Sequence, residues 1–312
     1  NGLIVDGSGM PAFRGDVGVK NGKIAEIGKL SSPAKKTIDA DGRAVSPGFI
    51  DNHCHYDAQV TWDPLCTCSP EHGATSVIFG NCPLSLAFLS YVEAIPMSVL
   101  KTVDFDWETI PQYMDHLDKR LGINVGNLIG HTAVRHYVMR DDCQKAGATE
   151  AQIKQMQDVV RQGMEAGALG LSVSREKGHF DPQGVPIPAL WADEREIFAL
   201  ADVLREMGTG TIQAGGGQYV ELKDGMMRRL AAETGRMVVY NSLSQTMRRP
   251  DEWKIHMARI EETAAMGIRA YPMCSPNRVT QDFTMKNSQV FRGLPTWHPI
   301  LLMSDQEKLR LY

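Results

Sequence analysis

His53-Cys54-His55 is the stretch of this chain whose residue types could most directly do chemistry. In a strand, residues two apart point to the same face, so a strand ending here would project both imidazoles together. Two imidazoles on one face make half of a zinc-type site. A bare His-x-His pair is as readily two ordinary surface or core histidines, and its surroundings favour the site. Pro47-Gly48 opens the run abruptly, Phe49 and Ile50 are apolar, and Asp51 stands just ahead of the pair.

The elements that must position such a site follow from the pattern of the chain. Its 312 residues suffice for one large domain with a small appendage and an ample core. Residues 1–45 read as short strands and turns, with Asn21-Gly22 as a type I′ hairpin turn and Asp41-Gly42 as a second turn. This first domain is expected to be a plain β-meander with no catalytic part. From residue 46 to 312 the pattern changes to strands alternating with helices, the signature of a parallel sheet. Apolar runs at 123–131, 168–174, 210–214, 237–243 and 268–274 suit buried strands, and those at Phe49 and Thr75 bring the number to about seven. Thr149 with Gln152 forms a capping box, and Asp193 with Glu196 starts a further helix that Gly208 stops. Pro250 is expected in the first turn of a third helix that ends at Gly267. A run at 300–303 reads either as an eighth strand or as the approach to a helix opened by Ser304-Asp305-Gln306-Glu307.

Composition excludes some function classes. A net charge of −4 argues against a nucleic-acid footprint, and no apolar run approaches the roughly 20 residues that span a bilayer. Six cysteines without a framework spacing suggest reduced thiols and a cytoplasmic setting. Cys66-x-Cys68 is a poor signal for a metal or redox pair, because one residue separates the thiols in a loop bounded by Pro64 and Pro70.

The run Pro47-Gly48-Phe49-Ile50-Asp51-Asn52-His53-Cys54-His55-Tyr56-Asp57 resembles the first barrel strand of the amidohydrolase superfamily. The segment from His72 to Gly80-Asn81-Cys82 is similar to the second strand of its N-acyl-D-amino-acid deacylases. The likeness continues through Gly130-His131, the Gly167 to Ser172 run and Tyr271-Pro272. It implies a (β/α)8 barrel whose last strand is expected beyond residue 312, with residues 1–45 as the N-terminal part of a small flanking β-domain, and sites at the C-terminal ends of the strands. It also implies that Cys82 joins His53 and His55 as a metal ligand, with zinc as the cofactor. A fourth position left to water would make such a site catalytic, since zinc lowers the pKa of water towards about 7. A buried apolar thiol is the alternative for Cys82.

The chain departs from that pattern where the resemblance places further metal-binding histidines. Gln213 stands there on strand five, and Asn241 or Ser242 on strand six; all are weak zinc ligands compared with imidazole. Ser244 takes the place of a lysine that would hold a substrate carboxylate. The expected catalytic acid/base, an aspartate on strand eight, falls beyond residue 312, and a loop near 87–88 looks shortened. Asp305 is a poor substitute, since it sits better in a first helical turn. His131 and Arg135 after strand three, Arg175 and His179 after strand four, and Tyr271 on strand seven are candidates to contact substrate, as are Gln213, Asn241 and Ser242. Arg135, Arg175 or Arg248 could stand in for the lysine. Each has a bland alternative as a structural or solvated residue. These features point to zinc-dependent hydrolysis of a small linear amide such as an N-acyl amino acid. A cyclic-amide or lactone hydrolase, and a barrel that binds ligand without turnover, are the alternatives. The expected partner is the small-molecule substrate, and a homo-oligomer is allowed.

Overall fold

The computed structural model describes residues 1–83, 85, 103, 105–118, 121–176, 179, 185–215, 225–243, 245, 250–274, 291 and 294–311. Two sheets organise them. The first contains β1 (Gly2–Ile4), β2 (Phe13–Lys20), β3 (Lys23–Gly28) and β4 (Ala44–Val45), in the order β3-β2-β1-β4. Asn21 and Gly22 both take positive φ, 53° and 72°, as a type I′ turn requires. The expected plain meander is corrected at β4. That strand returns to lie parallel to β1, where Leu3 and Val5 donate backbone N–H groups to the carbonyls of Arg43 and Val45.

The second sheet holds β5 (Phe49–Asp51), β6 (Ala74–Phe79), β7 (Asn124–Gly130), β8 (Gly170–Ser174), β9 (Thr211–Gly215), β10 (Met237–Asn241) and β11 (Ala270–Met273). All seven run parallel, each beside its predecessor in the chain. That succession is barrel topology: each strand returns through a crossover to extend the sheet in one direction. The fold is the (β/α)8 type, with seven of its strands among the described residues. The register sets Gly130, Ser172, Gln213, Val239 and Tyr271 in one row across five strands. Residues paired in this way point to the same face.

The helices are α1 (Gln59–Trp62), α2 (Ile110–Leu117), α3 (His131–Met139), α4 (Glu150–Glu165), α5 (Glu194–Met207), α6 (Met226–Thr234), α7 (Glu252–Ala265), α8 (His298–Leu302) and α9 (Asp305–Leu309). Their starts follow local chemistry. Thr149 and Gln152 close the capping box of α4, and the Asp193 side chain accepts from Glu196 N at the head of α5, which Gly208 ends at φ 70°. Ile153, Met156, Val160 and Met164 of α4 are buried, as are Ile197, Leu200 and Leu204 of α5, and the two helices pack together. Burial of each such side chain stabilises the fold by about 1.5–3 kcal/mol.

One expectation changes, and the run at 300–303 takes the second of its two readings. Pro250 precedes the N-cap Asp251 instead of entering the first turn of α7. Ile300 to Leu302 belong to α8, and Ser304 caps α9 in a full capping box, so this run is helical and not a strand.

Candidate metal centre

The histidine pair lies just past the end of β5, not within it. Asp51 is the last strand residue, and Asp51 Oδ1 accepts from His53 N at 3.4 Å. The imidazoles nevertheless come together, with ring centroids 5.4 Å apart and planes at 90°. Loop geometry, not strand alternation, makes the pair.

Cys82 arrives from the adjacent strand. After β6 the chain turns through Gly80, at φ 82°, and Cys82 itself takes φ 57°. A Cβ on Gly80 would stand 2.1 Å from the Leu128 carbonyl oxygen, so only glycine permits this turn against β7. Two side chains tie the ligand segments together. Asp57 Oδ1 accepts from Gly80 N at 3.0 Å, and Asn81 Nδ2 donates to the carbonyls of Cys54 at 3.2 Å and Ile78 at 3.0 Å. The outcome is a cluster in which ligand atoms of His53, His55 and Cys82 all lie within 4.8 Å of one another. Cys82 Sγ stands 3.5 Å from His53 Nε2.

Burial, and then the charge of His55, pushes His53 down to about 4. Burial, followed by the charges of Asp57 and Glu176, pushes the Cys82 thiol up to about 12. The centre thus offers a neutral imidazole and a thiol whose ionisation lacks a compensating positive charge. A divalent cation supplies that charge and deprotonates a coordinating thiol. Two imidazole nitrogens and one thiolate are a suitable zinc set, so the residues present fit this ion.

The side chains opposite the cluster come from the next strands. Gln213 is buried, and its Nε2 lies 3.3 Å from His53 Nδ1 and 3.4 Å from Asn241 Oδ1. Asn241 Nδ2 approaches His53 Nε2 at 3.4 Å. Asn241, and not the exposed Ser242, therefore faces the cluster. Ser172 Oγ donates to Gln213 Oε1 at 2.8 Å, a contact that sequence reading missed although Ser172 belonged to a recognised strand.

The remaining candidates divide. His179 meets Ser174 Oγ at 3.0 Å through Nδ1. Desolvation and then the charge of His179 hold His55 below the ordinary histidine range. Arg175 donates through Nη1 to the Ala192 carbonyl at 2.9 Å. Tyr271 shares the row of Gln213 but is 43% exposed. His131 and Arg135 both have wholly buried side chains. His131 Nε2 donates to Glu196 Oε1 at 2.7 Å, while Arg135 pairs with Glu196 Oε2 and donates to the Cys143 and Lys145 carbonyls. Their geometry supports the structural alternative. Ser244, Arg248 and the segment near 87–88 lie outside the described residues.

Comparison with known proteins agrees with this architecture. The amidohydrolase family profile matches residues 36–290. The D-aminoacylase of Alcaligenes xylosoxydans xylosoxydans is 36% identical over 213 residues, 66% of this chain and 41% of the relative. The N-acyl-D-glutamate deacylase of the same organism is 35% identical over 211 residues, with the same two shares. The chain spans about two fifths of the length of these curated relatives. Among solved structures, a D-aminoacylase superposes with a TM-score of 0.71 at 29% identity, over 88% of this chain and 56% of that one. The N-acyl-D-glutamate deacylase of Bordetella bronchiseptica, solved with zinc and a phosphonate inhibitor, gives 0.69 at 28% identity, over 86% and 56%. With seven parallel strands in barrel order and a profile match over most of its length, the chain belongs to the amidohydrolase family.

Proposed function

We propose that this chain carries the metal-binding part of a zinc-dependent hydrolase that cleaves a linear, non-peptide amide, such as an N-acyl amino acid. The observation that carries the reading is the meeting of His53, His55 and Cys82 beyond the C-terminal ends of two adjacent strands. Those three residues would hold the ion. Bound there, zinc supplies the Lewis acidity that activates water and polarises a scissile carbonyl. Asp57 and Asn81 keep the two ligand segments in register. Asn241 faces the cluster and is the group best placed to orient a substrate amide; His179 acts on His55 through its charge, Ser242 follows Asn241 in the chain, and Tyr271 lies on the adjacent strand, the last two exposed.

The relatives support amide chemistry: D-aminoacylase, N-acyl-D-glutamate deacylase and N-acyl-D-aspartate deacylase. A cyclic amide is the second reading. It is favoured by a segment of 57 residues, 18% of the chain, that is 51% identical to the D-hydantoinase of Ralstonia pickettii. Residues 1–45 are assigned to a flanking β-domain and 46–312 to the barrel. No described helix is long and apolar enough to cross a membrane, and all six cysteines are free thiols. The free thiols support a reducing, cytoplasmic setting.

Turnover of a panel of amides by the zinc-loaded protein tests the reading. With serine at 244 there is no fixed cation at that position to pair with a substrate carboxylate. We therefore expect weak turnover of N-acetyl-D-methionine and better turnover of a bulkier or less acidic linear amide. A kcat/KM of about 10⁴ M⁻¹s⁻¹ or above on N-acetyl-D-methionine would restore the plain deacylase specificity. Preference for a hydantoin would select the second reading, and no turnover across the panel would leave a binding barrel.

A further inference from the structure

His53 is gripped at both ring nitrogens. Nε2 faces Cys82 Sγ at 3.5 Å, so it is the nitrogen turned toward the donor cluster. Nδ1 faces the Gln213 carboxamide at 3.3 Å. Gln213 is 2% exposed, and Ser172, fully buried on the neighbouring strand, holds its Oε1 at 2.8 Å. Strands β8 and β9 thus deliver a two-residue relay that ends on the ring nitrogen pointing away from the thiol. Asn241 of β10 closes the group by accepting from Gln213 Nε2 at 3.4 Å.

An imidazole binds a cation through one lone pair, and its proton then resides on the other nitrogen. Held through Nε2, His53 carries its proton on Nδ1 and requires an acceptor there. A carboxamide provides one. A half-turn about the last side-chain bond of Gln213 exchanges Oε1 and Nε2 in place, and the Ser172 hydroxyl changes from donor to acceptor. Asn241, whose Nδ2 stands 3.4 Å from His53 Nε2, turns in the same way, so that its Nδ2 faces Gln213 Oε1 and its Oδ1 faces the side of His53 where the cation would sit. A carboxamide is a weak zinc ligand but a good hydrogen-bond partner, which suits orientation better than coordination.

We propose that Gln213, backed by Ser172, is a positioning residue of the metal centre. It fixes the His53 ring with Nε2 toward Cys82 and stabilises the tautomer that binds metal. The proposal rests on the metal-site reading above and adds that Gln213 acts through His53.

Cobalt(II) titration of the purified protein tests it, because a thiolate-to-cobalt absorption band reports the Cys82 bond directly. Gln213→Met keeps the side-chain volume and removes the hydrogen bonds to His53, Ser172 and Asn241. We expect it to bind cobalt about 10–100-fold more weakly, the usual cost of losing such a partner. Gln213→Glu keeps an acceptor for Nδ1–H and is expected to restore the affinity with the band unshifted and one ion bound. Ser172→Ala is expected to weaken binding in the same direction as Gln213→Met. It remains the deciding variant if Gln213→Met does not fold. Cys82→Ala serves as the reference and is expected to lose the band. Wild-type affinity in Gln213→Met or Ser172→Ala, beside a Cys82→Ala that loses the band, overturns the role of Gln213 and leaves the metal site standing. A Gln213→Glu protein as weak as Gln213→Met also overturns it. A Cys82→Ala protein with the wild-type band overturns the metal-site reading itself.

Discussion

Alanine at His55 is expected to remove zinc and hydrolysis together while the protein stays folded. His55 sits in the loop after β5, outside the packed core, so the substitution leaves the barrel interior intact. What it removes is one of the three donors that meet within 4.8 Å. A three-ligand site that loses an imidazole holds its ion much more weakly, because metal affinity depends on ligand number and geometry. Lewis acidity contributes several kcal/mol to such reactions, and each 1.4 kcal/mol is a factor of ten. Turnover should therefore fall by about 10³-fold or more. Zinc retained after dialysis, turnover on the best amide of the panel and the thermal midpoint together check this. Unchanged zinc content in the variant would mean that the histidine pair does not hold metal.

The second large effect concerns stability. Glu196 lies wholly buried between His131 and Arg135, and its removal would leave the Arg135 guanidinium charged in the core with only carbonyl partners. Breaking a buried ion pair from one side costs about 3–5 kcal/mol. Glu196→Ala should lower stability by that amount in urea denaturation; a loss below about 1 kcal/mol, the range of surface pairs, would contradict the assignment. The acid response carries a sign. Burial alone would raise the Glu196 pKa. The hydrogen bond from His131, with the charges of His131 and Arg135, outweighs burial and holds it below the usual glutamate value of 4.5. A carboxyl depressed in the folded state contributes fully above its unfolded pKa, and the contribution fades as pH falls through the lower folded value. Wild-type stability should therefore drop more steeply below pH 4.5 than that of Glu196→Ala.

How far the sequence reveals this arrangement differs from residue to residue. His53 and His55 are legible because their side chains are chemically distinctive and follow an apolar run, whereas Cys82 enters only through the resemblance of its Gly80-Asn81-Cys82 turn. The parallel strands are legible too, since buried strands read as continuous apolar stretches between capped helices. Gln213 and Asn241 stand out as departures from the resembled pattern. Their contact with His53 is not readable, because it joins residues 160 and 188 positions apart through strand register. Glu196 is the clearest miss. Beside Asp193 it reads as a helix-start residue, yet its carboxylate turns inward to partners 65 and 61 residues earlier in the chain. The matching signal, a histidine with an arginine one turn later on α3, was visible but looked equally suited to substrate. The return of β4 beside β1 left no local mark, since two residues carry too little pattern to show their pairing.

Elemental analysis of the purified, extensively dialysed protein tests the central claim most directly. A centre built from His53, His55 and Cys82, with carboxamides at Gln213 and Asn241, should retain about one zinc per chain. Two tightly held ions per chain would show that Gln213 or Asn241 coordinates metal, and a protein that retains none under conditions of zinc supply would contradict the site altogether.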